Sequence, residues 1–292
     1  MSLRILIVGG DGVIGGALER KLAAMGHDVA VTTRHRERVT EGTFFLDLAR
    51  PHVALPRAKC AVICAAMTRF SDCREMPELA RQINVTAPVA LCADLVSRGT
   101  RVILLSTSAV FDGRTPHVDA NKPPSPRSMY GRLKADTERG VLALGENASV
   151  LRLTKVLSRE TGILAQWISE LKSGRNIQAF DDHRFCPIML DDALDAIAAL
   201  IEGGGSGIYQ VSGSADISFA EAARHLAARI GVSPLQVTAV KAGESGVPPD
   251  EITPFTSLDA SRLSSLTGYV PPRPYTVIDK VFAASLSPAC AQ

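Results

Sequence analysis

The sequence predicts a doubly wound α/β fold on a parallel sheet, and three observations carry that expectation. Short β-branched apolar runs alternate with longer amphipathic stretches through the first half of the chain. The runs show little alternation of apolar and polar residues, as strands do when helices cover both faces of their sheet. A glycine cluster, Gly9-Gly10-Asp11-Gly12-Val13-Ile14-Gly15, stands where the first run gives way to the first amphipathic stretch.

In order, the pattern predicts a strand over 3–8, a helix over 14–25, and strands over 28–33, 60–65 and 101–106, with a helix over 80–98 before the last of these. The loop Lys122-Pro123-Pro124-Ser125-Pro126 stops one element; a helix over 129–144 and a strand over 149–156 follow. Beyond Val156 the pattern loosens into helices over 163–172, 191–202 and 219–230, with a break at Gly203-Gly204-Gly205. We therefore expect a dinucleotide-binding domain over 1–156 and a smaller mixed α/β lobe, mainly substrate-binding, over 157–292, with part of 176–202 packing back on the first domain.

The 292 residues suffice for one large domain or two joined ones. No run approaches the ~20 apolar residues of a membrane span, so no membrane role is expected. Lys and Arg number 32 against 30 Asp and Glu, scattered among one another, which disfavours nucleic acid. Met1-Ser2-Leu3-Arg4 runs straight into a strand without a signal-peptide pattern, so a cytoplasmic protein is expected. The six cysteines, Cys290 among them, form no CxxC pair, and neither a metal site nor a disulfide is expected.

At the first strand-to-helix junction, the glycine turn lets backbone approach a pyrophosphate at the positive end of a helix. A tight structural turn is the alternative reading. About 20 residues further on, a carboxylate at the end of the second strand would bind a ribose 2′-hydroxyl. Here stand Thr32-Thr33-Arg34-His35-Arg36. Thr33 and Arg34 can instead hold a 2′-phosphate by charge-assisted hydrogen bonds, which favours NADPH/NADP+ over NADH, a solvated basic loop being the alternative.

Tyr130 and Lys134 lie four residues apart, which brings them to one face of a helix. An ammonium beside a phenol lowers its pKa from ~10 toward the range useful for acid–base work. Upstream, Ser106-Thr107-Ser108 ends a strand with hydroxyls that can hold a carbonyl oxygen. An ordinary helix tyrosine and a turn cap are the alternatives.

In one order along the chain come Gly9-x-x-Gly12-x-x-Gly15, Asp47-Leu48, Cys64-Ala65-Ala66-Met67-Thr68, Asn84-Val85, Ser106-Thr107-Ser108-Ala109-Val110-Phe111-Asp112-Gly113, Tyr130-Gly131-x-x-Lys134 and Glu138, then Asp181-Asp182-His183-Arg184-Phe185-Cys186-Pro187. This set resembles the extended short-chain dehydrogenase/reductase family and within it the dTDP-4-dehydrorhamnose reductase branch, the nucleotide-sugar 4-ketoreductases. The resemblance implies a Rossmann domain and NADPH-dependent reduction of a nucleotide-linked keto-sugar, a 4-keto-6-deoxy-sugar first of all. It makes Tyr130 the general acid, Lys134 the ligand of the nicotinamide ribose and Thr107 the group that polarises the substrate carbonyl. It places Gly9, Gly12, Val13, Ile14, Gly15, Asp47, Leu48, Ala65 and Ala66 against the cofactor, Asn84 behind the active-site backbone and Thr68 on the substrate side. Ser108-Ala109 departs from the branch's Asp-Tyr, and Asp119 stands where Glu is common.

A nucleotide-sugar epimerase or dehydratase on the same fold is the alternative among enzymes. Ser108-Ala109 lacks the acidic pair of the dehydratases, and the Arg34 reading opposes the NAD of the epimerases. A non-catalytic NADP(H)-binding regulatory subunit would be marked by a broken Tyr/Lys pair, which is intact here. Thr68, Thr107 and Tyr130 are expected to converge at the sheet's C-terminal edge, with Arg184 and Arg273 the candidates for the substrate's pyrophosphate. No metal is expected; the partner is the sugar nucleotide, and a homodimer is left open.

Overall fold

The computed structural model describes residues 2–50, 55–158 and 162–286. In chain order the strands are β1 (Arg4–Val8), β2 (Asp28–Thr33), β3 (Thr43–Phe45), β4 (Cys60–Ile63), β5 (Arg101–Thr107), β6 (Ala148–Leu153), β7 (Lys155–Leu157), β8 (Ile177–Phe180), β9 (Arg184–Phe185), β10 (Pro187–Met189), β11 (Gly207–Val211), β12 (Ile217–Ser218) and β13 (Val237–Val240). The helices are α1 (Val13–Ala24), α2 (Phe70–Glu75), α3 (Pro77–Arg81), α4 (Ala87–Ser97), α5 (Met129–Leu142), α6 (Ile163–Lys172), α7 (Leu190–Gly203), α8 (Phe219–Ile230), α9 (Ser261–Thr267) and α10 (Pro274–Leu286). They form two compact units. One comprises Met1–Phe111, Pro123–Arg152 and Ala193–Tyr209; the other comprises Asp112–Lys122, Leu153–Asp192 and Gln210–Gln292.

The first unit is built on a seven-stranded sheet in the order β11-β6-β5-β4-β1-β2-β3. From β3 across to β5 the pairs are parallel, with Ile5 of β1 beside Val29 on one side and Cys60 on the other. Ile5 to Val8, Cys60 to Ile63 and Val102 to Leu104 are almost fully buried, which is why these runs lack alternation: both faces are covered. The order reverses between β1 and β4, and such a switch point is where open parallel sheets bind their ligands, beyond the strands' C-terminal ends.

Three expected elements are modified. The strand foreseen over 60–65 stops at Ile63, because the N–H groups of Cys64 and Ala65 both turn onto the Val8 carbonyl, at 2.9 Å each. The helix foreseen over 80–98 is interrupted by a π-helical turn at Gln82–Thr86. Pro88 has no N–H to give the Asn84 carbonyl four residues back, and that carbonyl instead accepts from the Thr137 hydroxyl of α5. The strand foreseen over 149–156 divides: β6 stays in the large sheet, while β7 pairs in parallel with β10 in the second unit.

β3 and β11 went unforeseen; β11 joins the sheet beside β6 from more than fifty residues downstream. The helix before it, α7, ends at the predicted glycine break, and the Arg101 guanidinium donates to the carbonyls of Leu200 and Ile201 in its last turn.

The second unit holds α6, α8 and α10 around Trp167, Leu171, Leu226, Val277 and Ile278. Its small sheets are β7 with β10, β9 with β12 and β8 with β13. Ser218 and Glu221 form a reciprocal cap at the start of α8, and Gly231 ends that helix in the left-handed region. The five described cysteines are free thiols, and Cys290 lies outside the described residues. Among the described residues no helix is long and apolar enough to cross a membrane.

Candidate active site

The glycine turn leaves β1 at the switch point. Gly9 has φ +102°, and a β-carbon on it would come 2.8 Å from the Ala65 nitrogen; one on Gly15 would overlap the Gly9 carbonyl oxygen. Both positions therefore exclude side chains. Gly12 precedes α1 without a side-chain cap, so among the described residues the N–H groups of the first turn, over Val13 and Ile14, receive no capping side chain at the helix's positive end. A side-chain-free turn before an uncapped helix meets the requirements of a dinucleotide pyrophosphate.

The end of β2 is tied to this turn. Gly9 N donates to Thr32 Oγ1 at 3.0 Å, and Gly10 N donates to the Thr32 carbonyl at 2.9 Å. Thr33 is buried, and its hydroxyl donates to the Asp11 carboxylate at 2.9 and 3.0 Å instead of facing outward. Of the two residues expected at a 2′-phosphate, Thr33 gives its hydroxyl to Asp11 and Arg34 presents an exposed side chain. Asp11 received no role from the sequence, although a carboxylate inside a glycine turn was the signal that could have singled it out.

Asp47 follows β3, its carboxylate accepting from Ala49 N at 2.9 Å, and Leu48 beside it is buried. Ala65, Ala66 and Met67 follow β4. Asn84, buried in the π-helical turn, holds this segment by both ends of its amide: Oδ1 accepts from Met67 N at 2.8 Å and Nδ2 donates to the Met67 carbonyl at 2.9 Å. Thr68, the next residue, is exposed, and α2 begins two residues later.

β5 delivers Thr107, whose Oγ1 accepts from Ala109 N at 3.2 Å and caps a 3-10 turn over Ser108–Val110. The hydroxyl accepts in that bond and keeps its own proton to donate. α5 starts at Met129, capped by Ser128, whose Oγ accepts from Gly131 N at 3.1 Å. Gly131 packs on the 3-10 turn so closely that a β-carbon on it would overlap the Ala109 carbonyl oxygen. The first turn of α5, with Tyr130, is thereby held against the segment with Thr107. Phe70 of α2 meets the Tyr130 ring edge-on, centroids 5.3 Å apart, so segments bearing all three expected residues adjoin.

Lys134, one turn further along α5, is buried and donates to the Leu105 carbonyl at 2.7 Å. Burial brings its pKa down to about 8, against the upward pull of Glu138, Cys92 and Cys64. Burial also pushes the Tyr130 hydroxyl upward, with a smaller contribution from Cys73. The expected lowering of the Tyr130 pKa by Lys134 is thus not found: the ammonium is turned toward Leu105, and desolvation governs the phenol. Beneath them, Glu138 and Arg152 form a fully buried pair, with Arg152 Nη2 2.7 Å from Glu138 Oε2 and its guanidinium carbon 4.9 Å from the Phe111 ring centroid.

The two candidate arginines lie in the second unit. Arg184 is engaged there, donating to the Asp216 carbonyl at 3.2 Å and lying 3.4 Å from Glu221 Oε2. Arg273 is exposed immediately before α10.

A parallel sheet with its reversal at β1/β4, a glycine turn there and an ordered Thr107, Tyr130, Lys134 set define an extended short-chain dehydrogenase/reductase. The model of the RmlD substrate binding domain matches residues 3–284, and the chain belongs to that family. It is 33% identical over 207 residues, 68% of this chain and 67% of the relative, to a probable dTDP-4,6-dihydroxy-2-methyloxan-3-one 4-ketoreductase of Streptomyces antibioticus. It is 27% identical to the dTDP-4-dehydrorhamnose reductase of Mycolicibacterium smegmatis over 279 residues, 94% and 83% of the two chains. Among solved structures, dTDP-4-dehydrorhamnose reductase from Bacillus anthracis in complex with NADP shares the fold at a TM-score of 0.82 and 21% identity, covering 97% of this chain and 99% of that one.

Proposed function

We propose that the chain reduces the carbonyl of a nucleotide-linked 4-keto-6-deoxy-sugar with NADPH, Tyr130 acting as general acid. The observation that carries this reading is the packing of Gly131 onto Ala109, which holds the Tyr130 turn beside the Thr107 segment at the sheet's C-terminal edge. NADPH, when bound, supplies the hydride.

The chain's own groups do the rest. Tyr130, its pKa raised by burial, keeps its proton at neutral pH and can pass it to the sugar oxygen as negative charge develops there. The Thr107 hydroxyl, with its oxygen already occupied by Ala109 N, donates toward the same oxygen and lowers the cost of that charge. Lys134, anchored on Leu105, brings a cation to the floor of the site for the ribose hydroxyls. The backbone around Gly9, Gly12, Val13, Ile14 and Gly15 receives the pyrophosphate, Asp47 and Leu48 border the adenine, and Ala65 and Ala66 line the groove. Thr68 contacts the sugar. Arg184's contacts with Glu221 and Asp216 favour a structural part for it.

Relatives named for reduction of dTDP-linked keto-sugars support the substrate class. The test is NADPH consumption by the purified chain across dTDP-, GDP-, UDP- and CDP-linked keto-sugars. Turnover with one of them, abolished by Tyr130→Phe, is expected; silence across the set removes the reading.

A further inference from the structure

Two side chains of one short helix connect the segment after β4 to Tyr130. Phe70 and Cys73 stand three residues apart on α2, which brings them to one face of it. Cys73 is fully buried; its thiol donates to the Met67 carbonyl at 3.4 Å, and its sulfur accepts from Asn84 Nδ2 at 3.8 Å. Burial and the neighbouring Asp72 carboxylate push this thiol above its ordinary pKa, against the pull of the Asn84 hydrogen bond, so at neutral pH it keeps the proton it donates. The Met67 carbonyl thus accepts from two elements at once, Asn84 of the π-helical turn and Cys73 of α2.

Phe70 makes the other contact. Its ring meets the Tyr130 ring edge-on, 5.3 Å between centroids and 82° between planes, an arrangement that aromatic pairs favour. The close fit of Gly131 on the Ala109 carbonyl fixes the backbone at the start of α5, but a fixed backbone leaves the Tyr130 side chain its choice of rotamer. A ring packed against it removes that choice, provided the ring is itself held. Cys73 supplies the hold by tying α2 to Met67. In the same apolar cluster Leu133 of α5 is buried beside Cys73, with Met67 and Tyr130 packed at its margin. All of these residues belong to the first unit.

We propose that Cys73 and Phe70 are positioning residues acting in series: the thiol fastens α2 to the Met67 carbonyl, and the Phe70 ring passes that fixed position on to Tyr130. The same fastening holds Tyr130 in register with Thr68, the residue after Met67. This rests on the reading of Tyr130 as the proton donor of a keto-sugar reductase.

The test is steady-state kinetics of the full chain with NADPH and whichever dTDP-, GDP-, UDP- or CDP-linked keto-sugar the wild type reduces fastest, alongside melting curves. The variants are Cys73→Ser, Cys73→Val, Phe70→Leu, and Cys73→Val with Phe70→Leu. Valine fills nearly the cysteine's volume without its donor, and serine keeps the donor. The expected fall in kcat is about tenfold or more for Cys73→Val and for Phe70→Leu, the scale of a displaced catalytic group, with KM for NADPH within about threefold of wild type. Cys73→Ser keeps kcat within about threefold of wild type, although a hydroxyl is the costlier group to bury in that cluster and melts the protein at a lower temperature than valine does. Two residues acting in series fail together, so the double variant loses no more than the worse single one. An unchanged kcat in Cys73→Val or Phe70→Leu, a kcat that follows the melting temperature across the serine and valine variants, or losses that multiply in the double variant overturns the proposal and leaves the reductase reading standing. Wild-type silence on all four classes of keto-sugar removes that reading and this proposal together.

Discussion

Gly131 and the Ala109 carbonyl are in such close register that the hydrogen of a glycine is all the space between them admits. A β-carbon at 131 must push α5 off the 3-10 turn or push the turn off β5. Gly131→Ala is therefore expected to destabilise the fold by about 1–3 kcal/mol, as overpacking does, and to lower kcat by more than the stability loss alone would, since Tyr130 moves with the helix. Melting curves and turnover on one preparation check it; an unchanged kcat in the folded variant would show that the contact does not position Tyr130.

Tyr130→Phe removes the hydroxyl proposed as proton donor but keeps the ring against Phe70. We expect kcat to fall about 10²-fold or more with the melting temperature little changed.

The pH dependence of dinucleotide binding should report Lys134. Its pKa of about 8 makes it a cation below that pH and neutral above it. Affinity for the anionic cofactor is expected to weaken as pH rises through about 8, and Lys134→Met should bind more weakly throughout and lose that inflection. Titrations at a series of pH values compare the two, and a shared inflection would assign it elsewhere.

Arg34→Ala is expected to cost about 1.5–3 kcal/mol of NADPH binding and to leave NADH nearly unchanged, because the guanidinium's only role in this reading is the 2′-phosphate. Equal losses for both cofactors would refute it.

Glu138 and Arg152 are each enclosed, with side-chain exposures of 2% and 0%. Removing one charge leaves the other buried and unmatched, so Glu138→Gln or Arg152→Met is expected to cost about 3–5 kcal/mol in urea unfolding, whereas replacing both by apolar residues of similar volume costs much less. A double-variant loss equal to the sum of the two single losses would show that the pair is not coupled.

The sequence by itself determined the strand-helix alternation, the glycine turn at the first junction and the Tyr130/Lys134 spacing, because each is local: period, backbone sterics and helix geometry operate within a few residues. The same locality made the family legible, through motifs read in order. What it left open was decided by groups far apart in the chain. Thr33 is ordinary as a residue type, and only its approach to Asp11, 22 residues away, turns its hydroxyl inward. Pro88 looks like a break within a helix, and only Thr137 supplies the hydrogen bond that lets Asn84 sit in a π-helical turn and grip Met67. Lys134 shares a helix face with Tyr130, yet the Leu105 carbonyl claims its ammonium, since a buried cation takes the nearest acceptor and not the partner its spacing implies. β11 shows the same limit at the level of the fold. Five residues with no periodic signature become the sheet's edge because β6 leaves an open ladder there, and no local reading of Gly207–Val211 contains that strand.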